Sequence, residues 1–375
     1  MRIAVNTRVL IKDKLEGVGW YIYEIVSRLV RAHPEHTFIL IFDRPYHPDF
    51  VFGQNVIPVV TRPPARHPVL FAIWFECRLP HILKKYKADV FYSPDGFLSL
   101  RSRLPTLLTV HDLAFKHFPG QNTFIQRSYY QFFMPRFLLH ARHIIAVSES
   151  TRLDILDSGI APDKVTVAFN GANERFKPVD LSSCQMLRDT FTEGQPYFLY
   201  VGAIHPRKNM IRLIRAFTQF KQDTTLPHKL VLLGRMAWMS DDVKKAMANS
   251  PAAADIIHVG YQAESLPTFY SAATALVYVS LFEGFGIPIL EAMCCDTAVI
   301  TSNISSMPEV AGSAALLVDP YSESQISHAM QQIAQDPALR ISLIDAGKKQ
   351  RQMFSWDHAA GLVWNQLNAL SPLQP

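Results

Sequence analysis

The sequence predicts an α/β protein built from two doubly wound parallel sheets. Three observations predict it. Short, fully apolar runs such as Phe38-Ile39-Leu40-Ile41-Phe42 recur along the chain, as strands buried on both faces of a parallel sheet do. Stretches with helical apolar spacing lie between them, as at Tyr21, Ile22, Ile25, Val26, Leu29 and Val30. The β–α alternation also runs twice, with one interruption from 176 to 196.

In chain order, Arg2 to Asn6 reads as a strand. Gly17-Val18-Gly19 reads as a glycine loop, and Trp20 to Arg31 as a helix. The runs 38–42, 89–92, 105–110, 143–147 and 165–167 read as further strands. Their carboxyl ends are polar: Ser93-Pro94-Asp95, His111-Asp112, Ser148-Glu149-Ser150 and Asn170-Gly171. Ligands of open α/β sheets bind at such ends. The stretch from Phe176 to Pro196 carries Lys177-Pro178 and Glu193-Gly194-Gln195-Pro196 and reads as an interdomain linker.

A second series then begins. It has strands at 197–201, 229–233, 256–259, 275–279, 298–301 and 314–319, and a helix from Met210 to Phe220. His358, Leu362, Val363 and Leu367 give a closing helix at 356–370. The expected domains are 1–180 and 190–354, facing each other across a cleft, with 355–375 crossing back to the first.

Length and composition agree with this. A chain of 375 residues, 49% hydrophobic and 18% charged, has material for two cores and is not disordered. No apolar run approaches the roughly 20 residues that span a bilayer. The start lacks a signal-peptide layout, and Cys77, Cys184, Cys294 and Cys295 show no C-x-x-C spacing, so a cytoplasmic protein with reduced thiols is expected. A net charge of +5 permits attraction to anionic substrates or an anionic leaflet without demanding nucleic acid.

The densest chemistry lies in Glu283-Gly284-Phe285-Gly286-Ile287-Pro288-Ile289-Leu290-Glu291. It follows a strand, turns on glycines and enters a helix at Pro288, which suits a first helical position. Strand, glycine turn and helix start present backbone N–H groups and a positive dipole end to an anion. Glu283 and Glu291 are acceptors suited to hydroxyls, so phosphate plus hydroxyls suggests a sugar nucleotide. A bland alternative is an acidic first turn on an ordinary helix.

Arg207-Lys208, after Gly202 and before a helix, suits a diphosphate, or is a solvated basic turn. His111 at a strand end suits donation to a sugar hydroxyl or stabilisation of developing charge, or is a core-edge histidine. Asp112 caps the next turn or touches ligand. Gly17 and Gly19 permit close backbone approach, but Ile22 rules out G-x-G-x-x-G and with it a nicotinamide fingerprint. No D-x-D, H-E-x-x-H or cysteine quartet occurs. Between Phe115 and Arg142, aromatic residues alternate with Lys116, Arg127, Arg136 and Arg142, as on an interfacial helix or on core with snorkelling cations.

Together these residues resemble the retaining glycosyltransferases of the GT4 family, which have the GT-B fold. Glu283 to Glu291 resembles that family's E-x7-E motif, and Gly202 to Asn209 its G-x-x-x-P-R-K-N segment. Ser302 to Gly312, Ala146 to Ser150 and Asn170-Gly171 are also similar to it.

The resemblance implies roles. Glu283 would contact donor-sugar hydroxyls, and backbone N–H groups from Gly284, Phe285, Gly286 and Ile287 would hold sugar and phosphates. Glu291 would accept from ribose, and Arg207 and Lys208 would neutralise the diphosphate. His111 would sit by the reacting centre. Gly17 and Gly19 would line the cleft, and Gly260-Tyr261 would face the base, with 1–180 the acceptor-binding domain and 190–354 the nucleotide-sugar-binding domain. It further implies retention by front-face attack without a metal ion or cofactor. Within the family, bacterial mannosyl- and related hexosyltransferases using GDP-linked donors are the most similar.

Two departures stand out. Ala203 replaces the arginine that many relatives carry after the first glycine of the phosphate segment, which puts more weight on Arg207. Cys294-Cys295-Asp296 stands where relatives often read A-C-G.

The implied activity is transfer of a hexose, mannose from GDP-mannose first among candidates, to a glycan or lipid-linked acceptor of surface polysaccharide. The expected place is the cytoplasm, with peripheral contact at the inner face of the cytoplasmic membrane. The competing readings are another GT-B chemistry, such as epimerisation or phosphorolysis, and a non-catalytic sugar-nucleotide binder.

Overall fold

The computed structural model describes residues 1–65, 68–121, 123–236, 241–260 and 262–371. Thirteen strands among them form two sheets. The first sheet holds β1 (Arg2–Asn6), β2 (Thr37–Phe42), β3 (Val56–Val60), β4 (Val90–Ser93), β5 (Thr106–Val110), β6 (His143–Ala146) and β7 (Val165–Val167), in the order β3-β2-β1-β4-β5-β6-β7. The second holds β8 (Tyr197–Val201), β9 (Lys229–Leu233), β10 (Ile256–Gly260), β11 (Ala275–Tyr278), β12 (Ala298–Ser302) and β13 (Ala315–Val318), in the order β10-β9-β8-β11-β12-β13. Neighbouring strands pair in parallel throughout.

The apolar runs explain this order. Val5, Leu40, Tyr92, Leu108 and Ile145 in the first sheet, and Leu199, Leu232, Val277 and Ile300 in the second, have essentially no exposed surface. Only a sheet covered on both faces buries such runs completely. Each sheet is doubly wound, reversing direction between β1 and β4 in one and between β8 and β11 in the other. Those two switch points are where such sheets open a ligand crevice.

Sequence and structure part in three places. Strand β3 was not anticipated. Pro58 inside it argues against a central strand, but β3 is an edge, paired only with β2 on one side, where a missing N–H is tolerated. Gly17-Val18-Gly19 is not a loop: the helix starts at Gly17 and runs to Ala32. The stretch 176–196, read as a linker, holds the helix Leu181–Thr192. Asp180 caps it, accepting from the Ser183 N–H at 2.9 Å, and Arg188 donates to the Ala272 carbonyl at 2.6 Å.

By its contacts the chain divides into two compact units, Met1–Asn170 with the segment from Ser355 onward, and Gly171–Phe354. Within the first unit the helix Trp356–Leu370 lies on the helix Gly17–Ala32. His33 stacks on Trp364 with ring centroids 3.4 Å apart, and Arg28 pairs with Asp357 at 2.6 Å.

In the second unit β8, β9 and β10 each run into a glycine of positive φ: Gly202, Gly234 and Gly260. The three turns are laced together. The Gly202 N–H donates to Leu233, and the Gly234 N–H to Gly260. A Cβ on Gly234 would stand 2.0 Å from the Gly202 carbonyl oxygen. Only a hydrogen fits there. Gly234→Ala is therefore expected to cost about 3 kcal/mol or more, through backbone clash and a disfavoured φ together. The urea midpoint at unchanged slope measures it, and a midpoint near wild type would mean that the two turns can separate without cost.

Candidate active site

The second unit gathers its chemistry at the carboxyl ends of β8 and β11. Beyond β11 the chain enters the turn that carries Glu283, which is only 7% exposed. Its carboxylate Oε1 accepts from Lys208 Nζ at 2.5 Å and from the Tyr278 hydroxyl at 2.8 Å. Lys208 Nζ also donates to the Tyr278 oxygen at 2.9 Å, closing a triangle. Burial alone would raise the Glu283 pKa, but the charges of Lys208 and then Arg207 outweigh it and hold the carboxyl below its ordinary value. Burial beside that carboxylate pushes the Tyr278 phenol well up. The triangle is thus an ionised carboxylate, an ammonium and a neutral phenol.

Local backbone structure fixes each corner. Pro206–Lys208 forms one short helical turn after His205. Asn209 follows in the left-handed region, and its buried side chain donates to the carbonyls of Val279 at 3.0 Å and Pro320 at 2.6 Å. The Leu281 N–H donates to the Arg207 carbonyl, which joins the two loops. On the other side, the Ser305 and Ser306 hydroxyls donate to the Glu283 carbonyl at 2.7 and 2.9 Å, and the Glu283 N–H donates back to Ser305. Gly286, at φ 99°, turns the chain into the helix Ile287–Cys294.

Glu291 lies on that helix and is engaged separately. The Tyr270 hydroxyl donates to its Oε2 at 2.7 Å. Burial raises its pKa to about 7, against the opposing pull of Tyr270 and Arg175. Gly260 closes β10, and its carbonyl accepts from Gly234. Tyr261 lies outside the described residues.

The first unit carries His111, Asp112, Gly17 and Gly19. His111 Nε2 is 2.7 Å from the Pro94 carbonyl oxygen. A carbonyl only accepts, so Nε2 carries the proton and, in the neutral ring, Nδ1 is left as an acceptor. Burial lowers the His111 pKa despite Pro94, Asp112 and Asp95, so the ring is neutral at pH 7. With Nε2 committed to Pro94, a sugar hydroxyl would donate to Nδ1 and not accept from the ring as the sequence suggested. Asp112 accepts from the Ala114 N–H at 3.0 Å and so shapes the following turn. Gly17 has open space where a Cβ would point, whereas at Gly19 one would meet Leu15 at 3.1 Å. Neither has a positive φ. Room, not conformation, is what glycine supplies at Gly17.

Sequence reasoning passed over Tyr278, Tyr270 and the two serines. A phenol inside an apolar strand run, as at Tyr278, is the one signal that could have drawn notice. Among the described residues no group of three or more His, Cys, Asp and Glu is placed to hold a metal ion.

Two family profiles match. "Glycosyltransferase Family 4" covers residues 15–176, and "Glycosyl transferases group 1" covers residues 187–350. The chain belongs to the GT4-type glycosyltransferases. This glycosyltransferase is 29% identical over 376 residues to the O-antigen chain mannosyltransferase B of Escherichia coli, covering 96% of this chain and 98% of that one. Its fold is that of GT-B glycosyltransferases. Sucrose-phosphate synthase from Thermosynechococcus elongatus superposes with a TM-score of 0.79 at 20% identity, over 99% of this chain and 100% of that one. Anabaena HepE in complex with UDP-glucose gives 0.75 at 15% identity, over 98% and 100%.

Two outcomes follow from the geometry of this glycosyltransferase. Lys208→Met strands the buried Glu283 carboxylate and is expected to cost about 3–5 kcal/mol. Glu283→Gln combined with Lys208→Met should cost clearly less than the two single changes summed, as urea melts of all three would reveal. The second concerns Glu291. Its folded pKa of about 7 lies above its ordinary 4.5, so the stabilising proton is fully held below about 4.5 and lost as pH rises through 7. Stability should fall by up to about 3 kcal/mol across that window, and Glu291→Gln should flatten the profile.

Proposed function

We propose that this glycosyltransferase moves a hexose, mannose from GDP-mannose being the first candidate, onto a glycan or lipid-linked acceptor in surface polysaccharide synthesis. The observation that carries the reading is the Lys208–Glu283–Tyr278 triangle at the β8/β11 switch point. A carboxylate held ionised in a buried setting is a strong acceptor for sugar hydroxyls. Arg207 on the adjacent turn would supply positive charge to the departing diphosphate. Glu283 already receives two donors on one oxygen, which suits holding a sugar better than attacking it. The acceptor proton would go to the leaving phosphate, with retention and without a metal ion or cofactor. His111, accepting through Nδ1, would orient a hydroxyl of the transferred sugar.

The relative from Escherichia coli, matched over nearly its full length, supports mannose and surface polysaccharide. A cytoplasmic location, with peripheral contact at an anionic membrane, is part of the proposal. The helix Phe124–His140 supports it. Phe124, Ile125, Phe132 and Leu139 are exposed, alongside Arg127 and Arg136. The chain from 115 to 142 carries no acidic residue. No described helix is long and apolar enough to cross a membrane.

Isothermal titration with UDP-, GDP- and ADP-linked sugars, with and without EDTA, tests the reading. GDP-mannose should bind most tightly and EDTA should leave binding and transfer unchanged. Arg207→Ala should weaken GDP binding by about tenfold or more, as loss of a charged contact does. Glu283→Ala should abolish transfer with the fold retained. Preference for another base, or a requirement for added divalent ion, would overturn the donor and metal-free assignments respectively.

A further inference from the structure

The Pro94 carbonyl fixes His111 Nε2, but one hydrogen bond does not fix a ring. An imidazole can still pivot about that contact, and a pivot displaces Nδ1, the nitrogen left to accept. We infer that Tyr21 is a positioning residue for the transfer reaction: its ring blocks that pivot and keeps His111 Nδ1 in one place. Its part in the reaction rests on the role given to His111 above; its hold on the ring does not.

Tyr21 lies on the helix Gly17–Ala32. Its ring meets the His111 ring at right angles, with centroids 4.8 Å apart and an interplanar angle of 89°. Edge-to-face contact is a preferred arrangement of π-rings, and at this separation the imidazole has no room to swing through its neighbour. The ring of Trp356 meets Tyr21 as well, at 5.8 Å, so the tyrosine is backed by the closing helix Trp356–Leu370.

The tip of the tyrosine is held by the strand that delivers His111. The Tyr21 hydroxyl lies 3.2 Å from Thr109 Oγ1 and 3.3 Å from the Tyr92 hydroxyl, and Tyr92 and Thr109 lie 3.0 Å from each other. Three hydroxyls in a triangle can each donate to one neighbour and accept from the other, so none is left over. None of the three residues is more than 1% exposed. Burial raises the pKa of both phenols, so every corner keeps its proton. Thr109 stands two residues before His111, and alternation along a strand puts the two on one side of the sheet. Tyr21 therefore measures the His111 ring against the strand that carries it.

Stability alone does not call for the triangle. Apolar side chains of the same shape would fill the space at little cost, because the hydration that buried hydroxyls lose offsets most of what their bonds return. What a closed, fully paired set adds is a fixed geometry. The group against which that geometry places the Tyr21 ring is His111. Precision matters there, since a displacement of about 1 Å at a reacting centre can cost about 100-fold in rate.

Three variants of the full chain test this. Tyr21→Leu removes the ring, Tyr21→Phe keeps the ring and loses its anchor, and Thr109→Val loosens the anchor alone. The last two leave the remaining hydroxyls paired with each other, which keeps the test decisive should Tyr21→Leu fail to fold. Nitrogen-15 NMR of the His111 ring reports the hold directly. Wild type should show one tautomer, protonated at Nε2, and a pKa below the ordinary value. Tyr21→Leu should mix the tautomers and let the pKa rise, because water reaches the ring while Asp112 and Asp95, the charges that act on it, stay as they are. Tyr21→Phe should fall between. Turnover of GDP-mannose is read as GDP release with α-1,3-mannobiose as acceptor. There kcat should fall by about 10–100-fold in Tyr21→Leu and by about 2–10-fold in Tyr21→Phe and Thr109→Val, with donor KM little changed. The acid limb of the kcat profile should move to higher pH in Tyr21→Leu, following His111. In a His111→Ala background the Tyr21 changes should have no further effect on kcat. His111 resonances unchanged in every folded variant, wild-type kcat in every folded variant, or an equal further loss in the His111→Ala background would each overturn the positioning role. Wild-type turnover by His111→Ala, or no turnover of GDP-mannose by wild type, would instead sink the role of His111 or the donor proposed above; the NMR comparison would then decide the hold on the ring by itself.

Discussion

The second unit is arranged around one buried ion pair, Lys208 to Glu283 at 2.5 Å. Two charges taken out of water cost several kcal/mol each, and their mutual attraction offsets that only with good geometry and further hydrogen bonds. Tyr278 supplies one such bond, and the Arg207 charge adds to the field. What holds the pair in place is backbone. Asn209 pins the Lys208 loop to the end of β11, and Ser305 and Ser306 pin the Glu283 loop to the turn after β12. Asn209 and Ser305 both take left-handed φ angles. Local strain at both is balanced by the bonds their side chains make.

That arrangement needs strands that stop in register. Glycines do this work at Gly202 and Gly234, where the Gly202 carbonyl occupies the space a side chain would need. The phosphate-type segment Gly202 to Asn209 is therefore tied to the end of β9 as well as to β11. A change in any of the three turns would move Lys208, and through it the carboxylate. Ala203 in place of an arginine leaves Arg207 and Lys208 as the cations of this segment, and Lys208 is committed to Glu283.

Much of the fold was legible, because burial on both sheet faces writes itself as unbroken apolar runs. Strands from β1 to β13 fall where those runs lie, with β3 the exception, since Pro58 on an edge strand mimics a break. The helix Leu181–Thr192 was hidden for a related reason: Lys177-Pro178 and Gly194 bracket it with loop signals. In the site, Glu283 and Lys208 could be singled out from motif spacing, but their pairing could not. Residues 75 positions apart meet only because β8 and β11 are neighbours in the sheet. Tyr270 and the serines were illegible, and Tyr278 showed only as a phenol in an apolar run, since phenols and hydroxyls gain meaning only from the partner that the fold gives them. The protonation of His111 likewise depended on the Pro94 carbonyl, which sequence does not reveal.

The two sheets use one topological device with different electrostatics. At the β8/β11 switch point, Arg207 and Lys208 both act on the Glu283 carboxylate. At the β1/β4 switch point, Arg8 Nε lies 2.7 Å from Asp95 Oδ2, so the cation there is already offset. A nucleotide diphosphate gains from the first balance and gains nothing from the second. A transferase that must take up a charged donor gains selectivity from that contrast before any shape is considered, because the anion is favoured at one crevice and not at the other.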